Sequence, residues 1–257
     1  MIRKRIIPTL LLKKDLLVKT INFKNDIYIG DPLNTIKIFN DLEVDELIIL
    51  DISVDYKKKI EINYDYLRLI ASECFMPLSY GGGISNIVDA ERIFRLGFEK
   101  IIINSHGLLN KNLINELVKK FGSQAIIISI DVKKTIFGKY KIYIHGGQKK
   151  INIQLFDWIK EIENIGVGEV FITNIDKEGT WSGYDFELIK QISDILSVPI
   201  IAHGGCGSID DIKKVFDYSN ASAAAVGSMF VFQKKEMGVL INFLTTNEVE
   251  RIFRFTS

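Results

Sequence analysis

Short runs of apolar, largely β-branched residues alternate along the chain with longer segments of helical periodicity. The runs are apolar throughout instead of alternating, which is typical of parallel strands buried on both faces. Between them, apolar residues recur at helical spacing, as in Asp89 to Leu96 and Gln154 to Ile165. We expect eight strands: Arg5 to Leu12, Glu46 to Ile52, Met76 to Tyr80, Lys100 to Asn104, Ala125 to Asp131, Gly168 to Asn174, Val198 to His203 and Ser222 to Gly227.

Eight β-α alternations in 257 residues predict an α/β protein built as a (β/α)8 TIM barrel. A doubly wound open sheet is the alternative for this pattern. An internal repeat favours the barrel, because Met76 to Gly83 matches Val198 to Gly205 at an offset of 122 residues. We therefore expect duplicated half-barrels, and the absence of a linker or low-complexity segment predicts a single domain over residues 1–257.

Composition and charge narrow the class of protein. The chain has 33 Lys and Arg against 32 Asp and Glu, a net charge of +1, and this balance argues against nucleic acid or an anionic membrane surface as partner. The longest apolar stretch, Ala223 to Phe232, has ten residues, whereas a spanning helix needs about 20. The apolar start is interrupted by Lys13, Lys14 and Asp15 without a cleavage site, so a soluble, cytoplasmic protein is predicted.

Glycine-rich loops follow the third and seventh predicted strands, at Gly81 to Gly83 and Gly204 to Gly207. Both lie at the C-terminal face, where barrel enzymes bind ligands. The next strand in each half ends in a small polar pair, Asn104-Ser105 or Gly227-Ser228, whose backbone N–H groups suit an anion. A tight strand-to-helix turn explains a lone glycine pair equally well. Their duplication favours two phosphate sites at one mouth, and hence a phosphorylated small molecule with a phosphate at each end.

Other polar residues occupy the mouth of the predicted barrel. Asp131 follows an apolar strand, which should raise its pKa toward the value of a general acid or base, although a carboxylate tied to neighbouring groups is the alternative. Asp51 and Thr173 hold equivalent strand ends and are candidate ligand contacts, with capping as the alternative. Gly179, after the sixth strand, is a candidate phosphate contact. Lys19, near the end of the first loop, is a candidate phosphate or closing-loop contact, with a solvated lysine as the alternative.

The histidines and cysteines give no sign of metal chemistry. His106, His145 and His203 show no ligand spacing, and each is expected to be structural. Cys206, within the second glycine loop, is expected to fill a small gap, and no C-x-x-C pair is present. No metal or organic cofactor is implied.

Four charged residues begin strands at the opposite, N-terminal face of the barrel. They are Arg5, Glu46, Lys100 and Glu169. Two cations and two anions should converge where the barrel floor closes. By themselves they favour a plug of ion pairs.

A set of sequence motifs is spread over essentially the whole chain. The motifs are Lys4 to Ile7, Gly30 to Pro32, Asp45 to Asp51, Gly81 to Ile84, Phe121 to Gln124 with Ile130-Asp131, and Asp176 to Asp185. Together they resemble HisF, the cyclase subunit of imidazole glycerol phosphate synthase. In that family a two-phosphate substrate lies across the barrel mouth, while a HisH-like glutaminase docks on the floor and sends ammonia through the centre.

The resemblance implies roles for individual residues. Asp131 matches one of two catalytic aspartates, and the floor charges match an ammonia gate instead of a plug. One phosphate site would comprise Gly83, Asn104 and Ser105, and the other Gly179, Gly205, Cys206, Gly227 and Ser228.

The chain departs from the family at the first strand. The family typically reads Cys-Leu-Asp where this sequence reads Thr9-Leu10-Leu11, so the second catalytic aspartate is a leucine. Leu11 cannot transfer a proton, and one positioned acid or base contributes roughly 10²–10⁴-fold to a rate. Ordinary cyclase turnover should therefore be impaired.

Four further segments point to one branch of this family: Leu10 to Lys13, Val18 to Thr20, Asn22 to Lys24 and Ala71 to Pro77. They resemble a HisF-like branch associated with surface-polysaccharide biosynthesis. That branch works with a glutaminase and a sugar amidotransferase, using ammonia to convert an acetamido group on a sugar to an acetamidino group. Two hypotheses follow: an ammonia-using synthase that acts through Asp131, and an ammonia conduit that activates the glutaminase.

Overall fold

A computed structural model describes residues 4–54 and 60–253. Residues 1–3, 55–59 and 254–257, which the single-domain expectation also covers, lie outside the described residues. The strands of the described part are β1 (Arg5–Lys13), β2 (Leu16–Ile21), β3 (Lys24–Gly30), β4 (Leu47–Asp51), β5 (Leu78–Gly81), β6 (Lys100–Ile103), β7 (Ile126–Lys134), β8 (Tyr140–Ile144), β9 (Lys149–Lys150), β10 (Glu169–Asn174), β11 (Ile200–His203) and β12 (Ala223–Val226). Its helices are α1 (Pro32–Asp41), α2 (Tyr64–Glu73), α3 (Ile87–Arg95), α4 (Ser105–Leu109), α5 (Lys111–Phe121), α6 (Leu155–Ile165), α7 (Phe186–Ser193), α8 (Ile209–Asp217), α9 (Ser228–Val231) and α10 (Thr246–Phe253).

Eight of these strands form a closed parallel barrel in the order β1, β4, β5, β6, β7, β10, β11, β12. Pairing of β12 with β1 completes the circle. All eight coincide with the predicted strands to within three residues at either end. The (β/α)8 TIM barrel is thereby confirmed, and the open-sheet alternative is excluded.

The remaining four strands are antiparallel extensions that the hydrophobic pattern did not predict. β2 and β3 form a hairpin that pairs with the end of β1, and β8 and β9 continue from the end of β7. β1 and β7 run past the barrel rim, where their backbone groups need new partners. As a result Lys19 lies in a buried strand and not in a loop, and β7 continues three residues beyond Asp131.

Alternation of side chains decides which residues face the barrel interior. Ile6, Leu10 and Leu12 of β1 pack outside the barrel, in the layer shared with the helices. Ile7 packs inside, so Arg5, Thr9 and Leu11 leave the strand on the interior face. The apolar interior consists of Ile7, Ile48, Ile102, Ile127, Phe171, Ile201, Ala223 and Ala225.

Helices cover the outside of the barrel and carry caps in their sequences. Asp31 accepts a hydrogen bond from the N–H of Asn34 at 2.8 Å, and Pro32 is the first residue of α1. The face of α1 that contains Ile36 and Phe39 is fully buried. Within residues 4–54 and 60–253, no helix has both the length and the apolarity needed to cross a bilayer.

The internal repeat extends to individual hydrogen bonds. After β5, the N–H of Ser85 donates to the carboxylate of Asp89 at 3.0 Å. After β11, the N–H of Gly207 donates to the carboxylate of Asp211, also at 3.0 Å. Both residues of the second bond lie 122 positions after those of the first, so the two half-barrels repeat their strand-to-helix turns.

Candidate functional site

The four charged residues predicted for the barrel floor do converge there. Arg5 Nη1 lies 2.7 Å from Glu46 Oε2, and the other guanidinium nitrogen pairs with Glu169. Lys100 Nζ lies 3.2 Å from Glu46 and 3.1 Å from Glu169. Each cation thus contacts both anions, and the floor ring (Arg5, Glu46, Lys100 and Glu169) is closed. A permanent plug and a closed gate share this geometry.

At the opposite end, three neighbouring strands place polar side chains side by side. Thr173 of β10 is the register partner of Asp131 on β7 and of His203 on β11. The Thr173 hydroxyl lies 3.1 Å from His203 Nδ1, and Thr173 also stands beside the Asp131 carboxyl, whose pKa it lowers. From the other side, Asn104 Nδ2 donates to Asp131 Oδ2 at 2.8 Å. Asn104, Asp131, Thr173 and His203 therefore form one continuous row of polar side chains across the mouth, called here the Asp131 chain.

Asp131 has the environment that its apolar strand predicted. Burial raises the pKa of its carboxyl to about 7, although hydrogen bonds from Asn104 and Thr173 favour the ionised form. The negative charge of Glu178 adds to the increase. Both protonation states are consequently populated near neutral pH, which suits a general acid or base.

Leu11 occupies the first-strand position of this mouth. Its side chain is 5% exposed and its register partners are Val18 and Leu50. The strand-one position is therefore apolar, and Leu11 has no group that exchanges a proton.

The second predicted phosphate site is assembled as one concavity. Lys19 joins it from β2, and three residues that the sequence did not assign to a phosphate site, Glu178, His203 and Ala225, also line it. Neither a lone glutamate nor a lone histidine has a spacing that would have marked it. The complete lining is Lys19, Glu178, Gly179, His203, Gly204, Gly205, Cys206, Ala225, Gly227 and Ser228.

Lys19 and Glu178 place opposite charges in this concavity, and the solvated interpretation of Lys19 is wrong because its side chain is buried. Burial lowers the pKa of the Lys19 ammonium, and the Glu178 carboxylate opposes that effect. Glu178 accepts hydrogen bonds from the Thr20 hydroxyl at 2.9 Å and the Phe23 N–H at 3.0 Å. The carboxylate thus ties the β2–β3 hairpin to the loop after β10 and holds Lys19 over the concavity.

The glycines that line the concavity lack a side chain for different reasons. Gly179 packs against the backbone of Thr20, and Gly205, at a φ of 102°, packs against that of Gly183, so a side chain at either position would collide with main chain. Gly227 is different, because a Cβ there would overlap the Lys19 ammonium. Only Gly227 is therefore small for the sake of a charged group in the concavity.

The residues of the first predicted phosphate site have other contacts. Gly83, at a φ of 66°, packs against Val54, and the Asn104 side chain turns toward Asp131. The Ser105 hydroxyl oxygen accepts a hydrogen bond from the His145 N–H at 3.0 Å. These contacts leave the backbone N–H groups after β6 as the site's candidate anion donors.

Asp51 lies apart from the row of Asn104, Asp131, Thr173 and His203. Leu50 packs against the barrel interior, so the Asp51 side chain leaves β4 on the opposite face. Its carboxylate accepts hydrogen bonds from the Ser53 N–H at 2.8 Å and from the Tyr80 hydroxyl at 3.5 Å. Burial raises its pKa, and its contacts are those of a residue that orders its own loop.

Cys206 has the contacts of a packing residue. Its Sγ lies 3.8 Å from the Ser208 carbonyl oxygen and 3.9 Å from Met229 Sδ. Burial raises the pKa of the thiol to about 12, so it is protonated at neutral pH. Across the two described ranges, no three His, Cys, Asp or Glu side chains are arranged to hold a metal ion.

Ionisation of Asp131 should lower the stability of the folded protein. Since the carboxyl pKa is about 7 when folded and about 3.9 in an unfolded chain, the folded state binds more protons between these values. Stability should therefore fall as pH rises from about 4 to about 7. Relative to wild type, Asp131→Asn should gain about 4 kcal/mol of unfolding free energy between pH 4 and pH 8, measured by urea unfolding.

The control for this measurement is Asp65→Asn, which removes an exposed carboxylate from α2 and should follow the wild type at both pH values. A constant difference between Asp131→Asn and wild type across the range would contradict the prediction.

Comparison with known proteins agrees with this geometry. The histidine biosynthesis protein family matches residues 5–236. A Pseudomonas aeruginosa protein named "Putative imidazole glycerol phosphate synthase subunit hisF2" is 44% identical over 250 residues, covering 97% of this chain and 99% of the relative. The imidazole glycerol phosphate synthase subunit HisF of Alkaliphilus metalliredigens is 38% identical over 234 residues, covering 91% and 92%. That of Streptococcus sanguinis is 38% identical over 230 residues, covering 90% and 91%. The chain therefore belongs to the histidine biosynthesis protein family, among the HisF-type subunits.

Proposed function

We propose that this chain is the synthase subunit of a glutamine-dependent complex of the imidazole glycerol phosphate synthase type. A HisH-like glutaminase docks on the barrel floor and supplies ammonia, which reacts with a phosphorylated ligand at the mouth. One observation carries this proposal: the floor ring, the apolar interior and the buried Asp131 follow one another along the axis of the barrel. Membership of the HisF-type subunits supports it.

The interior suits ammonia in its neutral form. Between the floor ring and Asp131 lie side chains such as Ile48, Phe171 and Ala225, which offer an ion no compensation for lost hydration. Ammonium would be excluded, whereas uncharged ammonia has a small desolvation cost. The floor ring then serves as the gate, and ammonia passes when its ion pairs rearrange.

At the mouth, each residue group has a separate task. Lys19, Ser228 and the backbone N–H groups of Gly205 and Gly227 bind one phosphate, with Gly179 and Cys206 shaping that cup. Gly83, Asn104 and Ser105 form the site of the other phosphate, and Thr173 contacts the ligand between them. Asp131 exchanges a proton with the ligand during attack by ammonia, since its pKa of about 7 keeps both forms available.

The substrate we propose is a sugar of surface-polysaccharide biosynthesis, on which ammonia produces an amidino group. Leu11 supports a substrate other than the histidine precursor, because ring formation in the HisF family uses a carboxylate at that position. The sugar itself rests on the sequence resemblance of segments such as Leu10 to Lys13 and Ala71 to Pro77. A sugar amidotransferase is then a third member of the complex.

Leu11 also favours a second candidate, in which the barrel conducts ammonia and activates the glutaminase while a third protein performs the transfer. The two functions differ in one measurable respect. An intact synthase site makes product from free ammonia without the amidotransferase, whereas a conduit does not.

Phosphate binding tests the second cup. Inorganic phosphate should raise the melting temperature of the wild type, because it binds only the folded state. Ser228→Ala removes one hydrogen bond to a charged ligand and should weaken phosphate binding about tenfold or more. Ser193→Ala on α7, where the hydroxyl donates to the Lys190 carbonyl at 3.0 Å, is the matched control. Equal phosphate stabilisation of all three proteins would exclude Ser228 from the site.

Glutaminase docking tests the floor. Titration calorimetry should show a one-to-one complex between this chain and a glutaminase subunit from the same organism. Lys100→Met leaves Glu46 and Glu169 with only Arg5 and should reduce that affinity about tenfold or more. Lys111→Met, at an ion pair with Glu161 on the outer helices, is the control. Unchanged affinity in Lys100→Met would show that the floor ring is a plug remote from the partner.

Leu11→Asp tests the substrate assignment. On the bisphosphate histidine precursor with free ammonia, the wild type should be at least about 10²-fold slower than a HisF that carries both aspartates. Leu11→Asp should recover part of this rate, since Asp131 and its hydrogen bonds are unchanged, whereas Leu11→Asn should recover none. Recovery will be incomplete because the apolar surroundings raise the pKa of a new carboxyl. Full turnover by the wild type would refute the assignment.

A further inference from the structure

His203 reaches from the Asp131 chain into the second cup. The ring is 6% exposed and lines the concavity that also contains Lys19 and Ser228. On its other side, Nδ1 lies 3.1 Å from the Thr173 hydroxyl. The ring also packs against Phe171, with a centroid distance of 4.9 Å, so its plane is held. Nδ1 is therefore engaged by Thr173, which leaves Nε2 as the ring nitrogen for a ligand in the concavity that His203 lines.

The Thr173 hydroxyl stands between Asp131 and His203 and has one hydrogen atom to donate, so it can donate to only one of them at a time. When Asp131 is ionised, the Thr173 hydroxyl donates to the carboxylate and must accept from His203 Nδ1, which then carries the proton. When Asp131 is protonated, its O–H donates to Thr173, and the Thr173 hydroxyl donates to a bare Nδ1. The single proton of the neutral ring is then on Nε2. The hydrogen-bond count thus couples the tautomer of His203 to the protonation of Asp131.

We propose that Asp131, Thr173 and His203 form a proton relay that delivers protons between the barrel mouth and the second cup. A proton taken from the ligand at His203 Nε2 moves the Nδ1 proton to Thr173 and the Thr173 hydroxyl proton to Asp131. The carboxylate becomes neutral and the imidazole changes tautomer without becoming charged. The reverse shift returns the proton to the cup.

The charges around His203 keep this exchange neutral. Burial and the Lys19 ammonium on β2 lower the pKa of the imidazole to about 3, so it has no net charge where Asp131 titrates. Glu178, from the loop after β10, raises the pKa of Asp131, and Cys206 remains a thiol. A change of tautomer therefore accompanies titration of Asp131 near pH 7.

The relay adds a second site of proton transfer to the proposed function, and it rests on that function only for the identity of the ligand. Leu11 removes the acid or base opposite Asp131, and His203 supplies a second position for proton transfer at another edge of the mouth. One carboxyl group would then serve two places on the ligand.

Nuclear magnetic resonance of protein labelled with ¹⁵N-histidine tests the relay without any substrate or partner. The chain has three histidines, and the signals that disappear in His203→Asn are those of His203. Between pH 9 and pH 5, His203 should change from the Nδ1–H to the Nε2–H tautomer with a midpoint near 7. Asp131→Asn should give one tautomer at every pH, because nothing at that position titrates.

Variants of the central hydroxyl give the sharper test. Thr173→Val keeps the side-chain shape and should abolish the pH-dependent change of tautomer, whereas Thr173→Ser should retain it. Thr9→Val removes another buried hydroxyl, which donates to the Ile7 carbonyl of its own strand at 3.4 Å, and should leave the change intact.

Two results would overturn the relay: a tautomer of His203 that is constant across the pH range in wild type, or a change that persists in Thr173→Val. Protonation of His203 to imidazolium near pH 6 would also overturn it. A normal change of tautomer in a protein without ammonia-dependent activity would reject the proposed function alone.

Discussion

Closure of the eight-stranded ladder is the constraint on which both ends of the molecule depend. Parallel register sets the height of every interior side chain, and the two-residue period of a strand sets which side chains are interior. On β10 the same alternation places Glu169 at the floor, Phe171 in the apolar interior and Thr173 at the mouth. A slip of one residue would exchange all three with residues that face the helices, so floor and mouth exist together or not at all.

The chemistry of the mouth follows from burying polar groups with few counter-charges. Asp131 is supported mainly by neutral partners, the Asn104 amide and the Thr173 hydroxyl, so burial prevails and its pKa rises to about 7. His203 is kept neutral by burial and by Lys19. Asp131 therefore gains or loses a proton at little free-energy cost near neutral pH, whereas a carboxylate in a strong ion pair would remain ionised.

The barrel was predictable because its signals are local. Fully apolar runs identify parallel strands, and the offset of 122 residues identifies the two halves without any reference to contacts. The β2–β3 hairpin was missed because β3, from Lys24 to Gly30, is mostly exposed and has the polar composition of a loop. The sequence identified Asp131 and the floor charges because each stands at one end of a predicted strand. Glu178 lies in a loop, and the importance of His203 depends on its contact with Thr173 on the neighbouring strand, so neither was assigned to the site from the sequence.

The sequence by itself determined the positions of the eight barrel strands, the repeat, the residues at the ends of those strands and the apolar character of Leu11, since all of these are properties of consecutive positions. Only the tertiary structure decided that Thr173 stands between Asp131 and His203, that Lys19 is buried beside Gly227, and that Asp51 faces away. The reason is physical. Lateral contacts between strands and the docking of a hairpin are set by register and by the pairing of buried polar groups, which join residues far apart in the chain and depend on the whole barrel being closed.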